Sequence, residues 1–268
     1  VPADVDVVVV THDSGRHLPA LAGSLAAAGD RVASVTVVDN RSSDGSADLA
    51  LTLPFPGELT VLDAGANLGF GRAVNLAAAA PSTRAPYLLV LNPDAAVPPR
   101  ALDRLVGTLE DDPGLACVGA DLRRPDGSPV SSARAFPGLW DVARGRVHDV
   151  VHDGGLADAD WVCGALMVWR RSVFEELGGF DEAFFLYYED TDLCRRARAA
   201  GWRLAIDGRV LATHDQGHGR VTPRALRRVN RRSRRVYARR WLGLPGLGAA
   251  FVADGRETAA HLLRRGRR

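Results

Sequence analysis

The sequence predicts an α/β fold, a mostly parallel sheet flanked by helices. Short apolar runs rich in Val and Leu recur between residues 5 and 119, as expected of strands covered on both faces. Stretches with helical apolar spacing separate them, and that alternation is the pattern of a parallel sheet. Polar clusters close several of the runs, and in such sheets ligands bind outside the carboxyl ends of the strands.

Residues 5–10 form a buried, β-branched strand closed by Thr11-His12-Asp13-Ser14-Gly15. Residues 18–28 suit a helix, with Leu18, Leu21 and Leu25 at helical spacing. A second strand over 32–38 ends at Asp39-Asn40, and Asp44-Gly45-Ser46 opens a short helix to Leu51. A third strand covers 59–62, and Asn67-Leu68-Gly69-Phe70-Gly71 leads into an Ala-rich helix ending about Ala80. A fourth strand, 87–91, is followed by Asn92-Pro93-Asp94 and a helix over 99–110, and a fifth spans 115–119. The alternation then fails: 121–160 reads as loop-rich. Beyond it the pattern predicts a strand over 161–169, a helix after Arg171, a turn at Gly178-Gly179-Phe180-Asp181, and a helix from Glu189 to near Gly201. Strand residues at 204–206 and 210–213 precede His214.

All 34 basic residues are Arg, against 32 acids, and three cysteines without a C-x-x-C pair exclude a disulfide framework. The net charge of +2 conceals an asymmetry: residues 216–268 hold 15 Arg but only Asp254 and Glu257 as acids. No apolar run reaches the roughly 18 residues of a membrane span, and the N-terminus lacks a signal-peptide pattern. A cytoplasmic protein is expected. The chain begins at Val1 with its sole Met at position 167, which reads as a processed end or an unusual start codon.

Several residues invite chemistry. Asp39, at a strand end, could accept from a nucleobase imide or a ribose hydroxyl, although on spacing alone a turn role is the stronger reading. Asn92 and Asp94 straddle a proline after a buried strand and suit a ribose and a hard cation, or an Asn-Pro turn. Three carboxylates lie in Glu189-Asp190-Thr191-Asp192. Asp192 reads as a dipole and ion-pair residue facing Arg195 or Arg196. Asp190, beside Phe184, Phe185, Tyr187 and Tyr188, suits a general base of raised pKa. His214 is a metal ligand or a hydrogen-bonded loop residue; His218 shares its spacing, and His148 and His152 read as surface residues. Gly69-Phe70-Gly71 lacks the third glycine of a dinucleotide fingerprint, since Val74 stands there. Walker, Gly-x-Ser-x-Gly and His-Glu-x-x-His motifs are absent.

Taken in order, four segments resemble the family 2 glycosyltransferases of the GT-A fold: Val37 through Asp39-Asn40 to Ser46, Asn67-Leu68-Gly69-Phe70-Gly71, Leu91-Asn92-Pro93-Asp94, and Gly178 through Tyr188-Glu189-Asp190 to Arg196. The subgroup most resembled is that of bacterial rhamnosyltransferase-like enzymes of cell-wall polysaccharide synthesis, which often carry Asn-Pro-Asp where relatives carry Asp-x-Asp. The resemblance implies a GT-A domain over 1–219, with a nucleotide-binding part to about 120 and an acceptor and catalytic part after it, and a basic helical extension over 220–268. It implies that Thr11, Asp13, Asp39, Asn67, Arg72 and Asn92 bind the donor nucleotide, that Asp94 and His214 hold Mg2+ or Mn2+, and that Asp190 is the catalytic base. Trp161, Gly164 and Glu189 fall on the acceptor side.

The function implied is an inverting transfer of a sugar, rhamnose from dTDP-rhamnose as the preferred guess, from a nucleotide-diphosphate donor to a glycan or polyprenyl-linked hydroxyl. A nucleotidyltransferase making nucleotide-sugars is the alternative, although Thr11-His12-Asp13-Ser14-Gly15 makes a poor phosphate loop. A non-catalytic nucleotide-sugar-binding protein is another, but it need not keep both Asp94 and Asp190. For Arg220 to Trp241, with ten Arg, the expectation is docking to anionic lipid at the inner face of the membrane or to a lipid diphosphate acceptor, or a solvated helix packed on the domain. Nucleic acid is not expected, because no recognition motif accompanies the charge.

Overall fold

The computed structural model describes residues 3–80, 84–215 and 224–265. Its order is β1 (Val5–Thr11), α1 (Leu18–Ala27), β2 (Val32–Asp39), α2 (Ser46–Thr52), β3 (Glu58–Asp63), α3 (Phe70–Ala78), β4 (Tyr87–Leu91), β5 (Ala95–Ala96), α4 (Ala101–Asp111) and β6 (Leu115–Arg123). There follow β7 (Ala133–Arg134), α5 (Leu139–Arg144), β8 (Leu156–Ala159), β9 (Trp161–Val162), β10 (Leu166–Arg170), α6 (Arg171–Glu176), α7 (Glu189–Ala199), β11 (Arg203–His214) and α8 (Arg224–Arg265).

The main sheet runs β3-β2-β1-β4-β10-β6-β11-β5, with β8 on β11. The first four strands are parallel, as is β6 with β11, whereas β10 lies antiparallel between β4 and β6. Alternation along β1 divides the core: Val5, Val7 and Val9 face the layer of α1 and α4, while Val8 and Val10 face that of α3, α6 and α7. Asp6 is buried on the second face, where Arg171 Nη2 (2.5 Å), Ser34 Oγ (2.6 Å) and Ala85 N (2.9 Å) satisfy its carboxylate. Because β2 and β4 flank β1 on opposite sides, the strand order reverses there, and a crevice opens beyond their carboxyl ends.

Several expectations need correction. The strand over 161–169 is two strands, bent apart at Cys163-Gly164-Ala165. The two segments before His214 join in β11 across a register shift between Asp207 and Leu211. The region 121–160 contains β7, α5 and β8. His148 is exposed and bonded to Asp141 (2.9 Å), but His152 is largely buried, its Nδ1 accepting Gly154 N–H (3.2 Å). His218 lies outside the described residues.

α8 is broken at Gly243, whose φ of 66° and ψ of −153° are not helical, with Pro245 two residues on. The two limbs fold back as a hairpin: Arg231 and Arg234 pair with Glu257 (3.0 and 2.6 Å), and Arg234 and Arg235 pair with Asp254. Gly246 permits their close approach, since a Cβ there would lie 2.5 Å from Ala238 O. The hairpin is joined to the domain. Leu139, Val142 and Ala143 of α5 pack on Ala238, Leu242, Ala249 and Ala250, and Ser233 Oγ donates to Leu186 O (2.8 Å).

Candidate active site

Polar side chains gather at the carboxyl rim of the sheet. Thr11 and Asp39 are register partners at the ends of β1 and β2. Thr11 Oγ1 is buried without a partner. Asp39 accepts Ser42 N–H on both oxygens (3.3 and 3.2 Å), a turn bond that leaves further lone pairs free. Asp13, with φ of 51°, accepts from Ser43 N (2.6 Å) and Oγ (3.1 Å), and those bonds hold its carboxyl below the ordinary value. The β1 and β2 loops are thereby stapled together.

Asn67 is turned inward. Its Oδ1 accepts from Asn40 Nδ2 (3.0 Å) and Gly69 N (3.1 Å), while Asn40 Oδ1 accepts Leu68 N–H (2.7 Å). Asn40 thus shapes the loop that ends at Gly69, where φ is 83° and a Cβ would collide with Phe185 O at 2.1 Å. Of the Asp39-Asn40 pair the sequence points to Asp39 alone, and the structure adds Asn40. Arg72 stands apart, paired with Glu182 (3.1 Å) in a separate depression beside Asn75 and Gly179.

Pairing of β5 with the end of β11 sets His214 beside Asp94: His214 Nε2 lies 3.4 Å from both Asp94 Oδ1 and Asn92 Nδ2. Burial alone would raise the Asp94 pKa, but His214, with smaller help from His17 and the backbone, holds the carboxyl below its ordinary value. His214 Nδ1 is buried and unpartnered. Among the described residues no three His, Cys, Asp or Glu side chains form a metal cage. One carboxylate, one imidazole and an adjacent amide fit instead a hard divalent ion whose remaining ligands are substrate phosphates and water.

Asn92 and His214 also line a cavity of about 540 Å3, together with Trp161, Gly164, Glu189 and Asp190. Tyr187 and Tyr188, both at φ of 69°, turn the chain sharply into α7. Consecutive left-handed tyrosines are strained, and such strain persists only where surrounding contacts enforce it; here the Tyr188 ring packs on Tyr237 at 5.2 Å. Asp190 Oδ2 accepts Gly164 N–H (3.0 Å), and Oδ1 accepts Thr191 N–H (2.7 Å) and Oγ1–H (3.2 Å). The bend between β9 and β10 is what frees the Gly164 N–H. Burial raises the Asp190 pKa despite these bonds and the nearby Trp161 indole, whose N–H falls outside hydrogen-bond geometry. Arg134 covers the Trp161 ring at 5.0 Å. Burial also pushes the Cys163 thiol up to about 12, so it is no thiolate nucleophile at neutral pH.

A buried carboxylate on the same cavity as the Asn92 of a strand-end Asn-Pro-Asp is the arrangement the resemblance anticipates. The family model described as glycosyltransferase like family 2 matches residues 2–238. The chain is a family 2 glycosyltransferase. An N-acetylglucosaminyl-diphospho-decaprenol L-rhamnosyltransferase of Mycobacterium tuberculosis is 33% identical over 238 residues, 79% of this chain and 76% of that one. Two solved structures share the GT-A fold. A mannosyltransferase from Pyrobaculum calidifontis in complex with GDP-Man and Mn2+ has a TM-score of 0.61 at 20% identity, covering 98% of this chain and 79% of that one. GalNAc-T7 with UDP, GalNAc and Mn2+ has a TM-score of 0.66 at 17% identity, covering 88% of this chain and 50% of that one.

Within the glycosyltransferase, Glu189 is the group that sequence reasoning described least. It is 5% exposed, and its Oε2 has no partner. Burial, then the neighbouring Asp190 charge, push its pKa well above the ordinary 4.5, so Glu189 holds its proton more tightly than an exposed glutamate. A raised carboxyl costs the fold nothing below its unfolded pKa. Stability falls as pH rises from there to the folded value, because only the unfolded chain releases the proton readily. Glu189→Gln, an isostere of the neutral acid, removes that penalty. We expect a higher unfolding temperature in the variant at neutral pH, by on the order of 2–4 °C per kcal/mol relieved. Thermal scans should show the gain vanishing below about pH 4.

Proposed function

We propose that this glycosyltransferase inverts the anomeric centre of a sugar as it moves it from a nucleotide-diphosphate donor to a hydroxyl of a glycan or polyprenyl-linked acceptor. dTDP-rhamnose is the preferred donor. The observation that carries this reading is the Asp190 carboxylate, desolvated and held by three hydrogen bonds, opening on the same cavity as Asn92 and His214. The 33% identity to a protein named for rhamnosyl transfer to a diphospho-decaprenol acceptor supports the donor and the acceptor class.

Asp39 and the unpartnered Thr11 hydroxyl receive the nucleoside, with the Asp39 lone pairs not used by Ser42 accepting from a thymine or uracil imide. Asp94 and His214, with Asn92 beside them, would hold Mg2+ or Mn2+. Once bound, such an ion supplies charge neutralisation on the leaving nucleoside diphosphate. Asp190 takes the proton from the acceptor hydroxyl as that oxygen attacks the anomeric carbon on the face opposite the diphosphate. The transition state has oxocarbenium character, as in glycosidases. Trp161, Gly164 and the neutral Glu189 line the side from which the acceptor enters. α5 and the hairpin supply further walls of this cavity through Asp141, Val142, Asn230, Arg234 and Glu257.

The test is transfer from a panel of dTDP-, UDP- and GDP-sugars to a short polyprenyl-diphosphate-linked GlcNAc. We expect product only with a divalent ion present and fastest from dTDP-rhamnose; faster transfer from another donor would replace rhamnose, and no transfer from any would overturn the reading. Chelation should abolish turnover. Asp94→Ala should raise the metal concentration for half-maximal rate by at least about tenfold, the lower end of what losing even an outer partner of a metal ligand costs. Calorimetric titration of dTDP with and without Mn2+ reads the same loss without turnover.

A further inference from the structure

The outward face of the α8 hairpin is not explained by the active site. On its first limb Arg224, Arg228, Arg232 and Arg239 are exposed, and they make no ion pair among the described residues. With Arg235 they fall within one sector about 80° wide at 3.6 residues per turn. The other face of that limb, with Asn230, Arg234 and Tyr237, is turned to the cavity and core. On the second limb the segment 241–253 contains no charged residue. Gly246, Ala249, Ala250 and Ala253 point inward, leaving Leu244, Phe251 and Val252 exposed by 67, 52 and 54%. The two stripes are neighbours: the Arg235 guanidinium sits 4.5 Å over the Phe251 ring. A wholly apolar exposed helix face is uncommon on a monomeric protein and marks an interaction site.

We propose that this face docks on an anionic lipid bilayer, with Leu244, Phe251 and Val252 entering the headgroup boundary and the arginine stripe meeting lipid phosphates beside them. The pairing of a large apolar stripe with a cationic one is what an interfacial element requires. It fits the alternatives less well. A polyanion such as nucleic acid has no use for the apolar stripe, and a second copy pairing by two-fold symmetry would set the same arginines against apolar residues or against each other. No helix among the described residues is long and apolar enough to cross a membrane. The docking element is therefore the hairpin as a unit, not the basic limb that the charge count singles out. It goes beyond the proposed reaction and stands whichever sugar is transferred.

Flotation of the full chain with phosphatidylcholine vesicles, with and without phosphatidylglycerol, tests this. The protein should float only with the anionic vesicles, and less as salt rises. Arg228→Gln with Arg232→Gln should weaken partitioning about 30-fold, from the roughly fivefold each arginine contributes at such a surface. Phe251→Asp should weaken it by about tenfold or more. Circular dichroism and the unfolding temperature should match the parent in both variants. Flotation that is absent, equal on neutral vesicles, or unchanged by Phe251→Asp would overturn the proposal. So would a chain that Phe251→Asp converts from dimer to monomer without altering flotation, or one that binds duplex DNA as tightly as vesicles.

Discussion

Replacing Asp190 with Asn will lower the transfer rate by about 10²–10⁴-fold, the range that general bases contribute, while donor affinity changes only a few-fold. The separation follows from position. Asp190 lies on α7 beside Gly164 and Trp161, whereas the candidate donor residues Thr11, Asp39, Asn92 and Asp94 lie at or just beyond the ends of β1, β2 and β4. The amide also disturbs its own cradle. Both carboxylate oxygens accept backbone N–H groups, from Gly164 and Thr191, and an Asn side chain can accept from only one of them. Asp190→Asn therefore loses the base and some of its placement, so rates should be compared with donor binding measured by calorimetry. A variant that kept parental turnover would remove Asp190 from the mechanism.

The pH dependence has a definite sign. A base must be deprotonated, and burial raises the Asp190 pKa above the ordinary 3.8. The acid limb of kcat/KM should accordingly lie above that of an exposed aspartate, with activity lost as pH falls through the raised value. Burial and the Asp190 charge push the Glu189 pKa well above its ordinary value, so Glu189→Gln should leave that limb nearly in place. A limb shifted down by a whole unit in that variant would mean that the two carboxyls share one proton.

Why some of this was legible in the sequence and some was not has a physical basis. β1, β2 and β4 are short buried runs closed by turn residues, so composition and punctuation both report them. α5 is six residues long, and its apolar face is completed only by Ala238, Leu242, Ala249 and Ala250, about a hundred residues later. β8 carries one fully buried residue in four, which leaves no alternation to detect. The antiparallel insertion of β10 depends on which neighbour it finds, and nothing within residues 166–170 encodes that. At the site, Asn92, Asp94 and His214 could be associated only through the family resemblance, because the contact crosses 122 residues. Asn40 was visible but ambiguous, since its work is to fix the loop 67–69. The hairpin apex is marked by Gly243 and Pro245, but nothing local to them says that the limbs on either side fold back and pair.

Asp192 joins these two kinds of information. The sequence assigns it an ion pair one turn along α7, and Arg196 Nε indeed donates to its Oδ2 (2.9 Å). Its other oxygen, Oδ1, accepts from Arg240 Nη1 and Trp241 Nε1, both at 2.9 Å, at the end of the first hairpin limb. With Asp192 completely buried, removing it strands three donors, and Asp192→Ala should cost about 3 kcal/mol, the low end for a broken buried pair. The low end applies because Arg240 retains Asp181 (2.7 Å) and Arg196 retains the Leu177 and Gly179 carbonyls. In a chain this size that is a fall of on the order of 6–12 °C in unfolding temperature. Asp192→Asn, which can still accept from Trp241, should fall between the variant and the parent. A coupled loss of turnover is also expected, because Asp192 lies two residues from Asp190 on the first turn of α7, and the hairpin it anchors supplies Asn230, Arg234 and Glu257 to the cavity wall. If Asp192→Ala unfolded at the parental temperature, the hairpin would be an appendage to the transferase domain; a fall of the stated size makes it part of the domain's own closure.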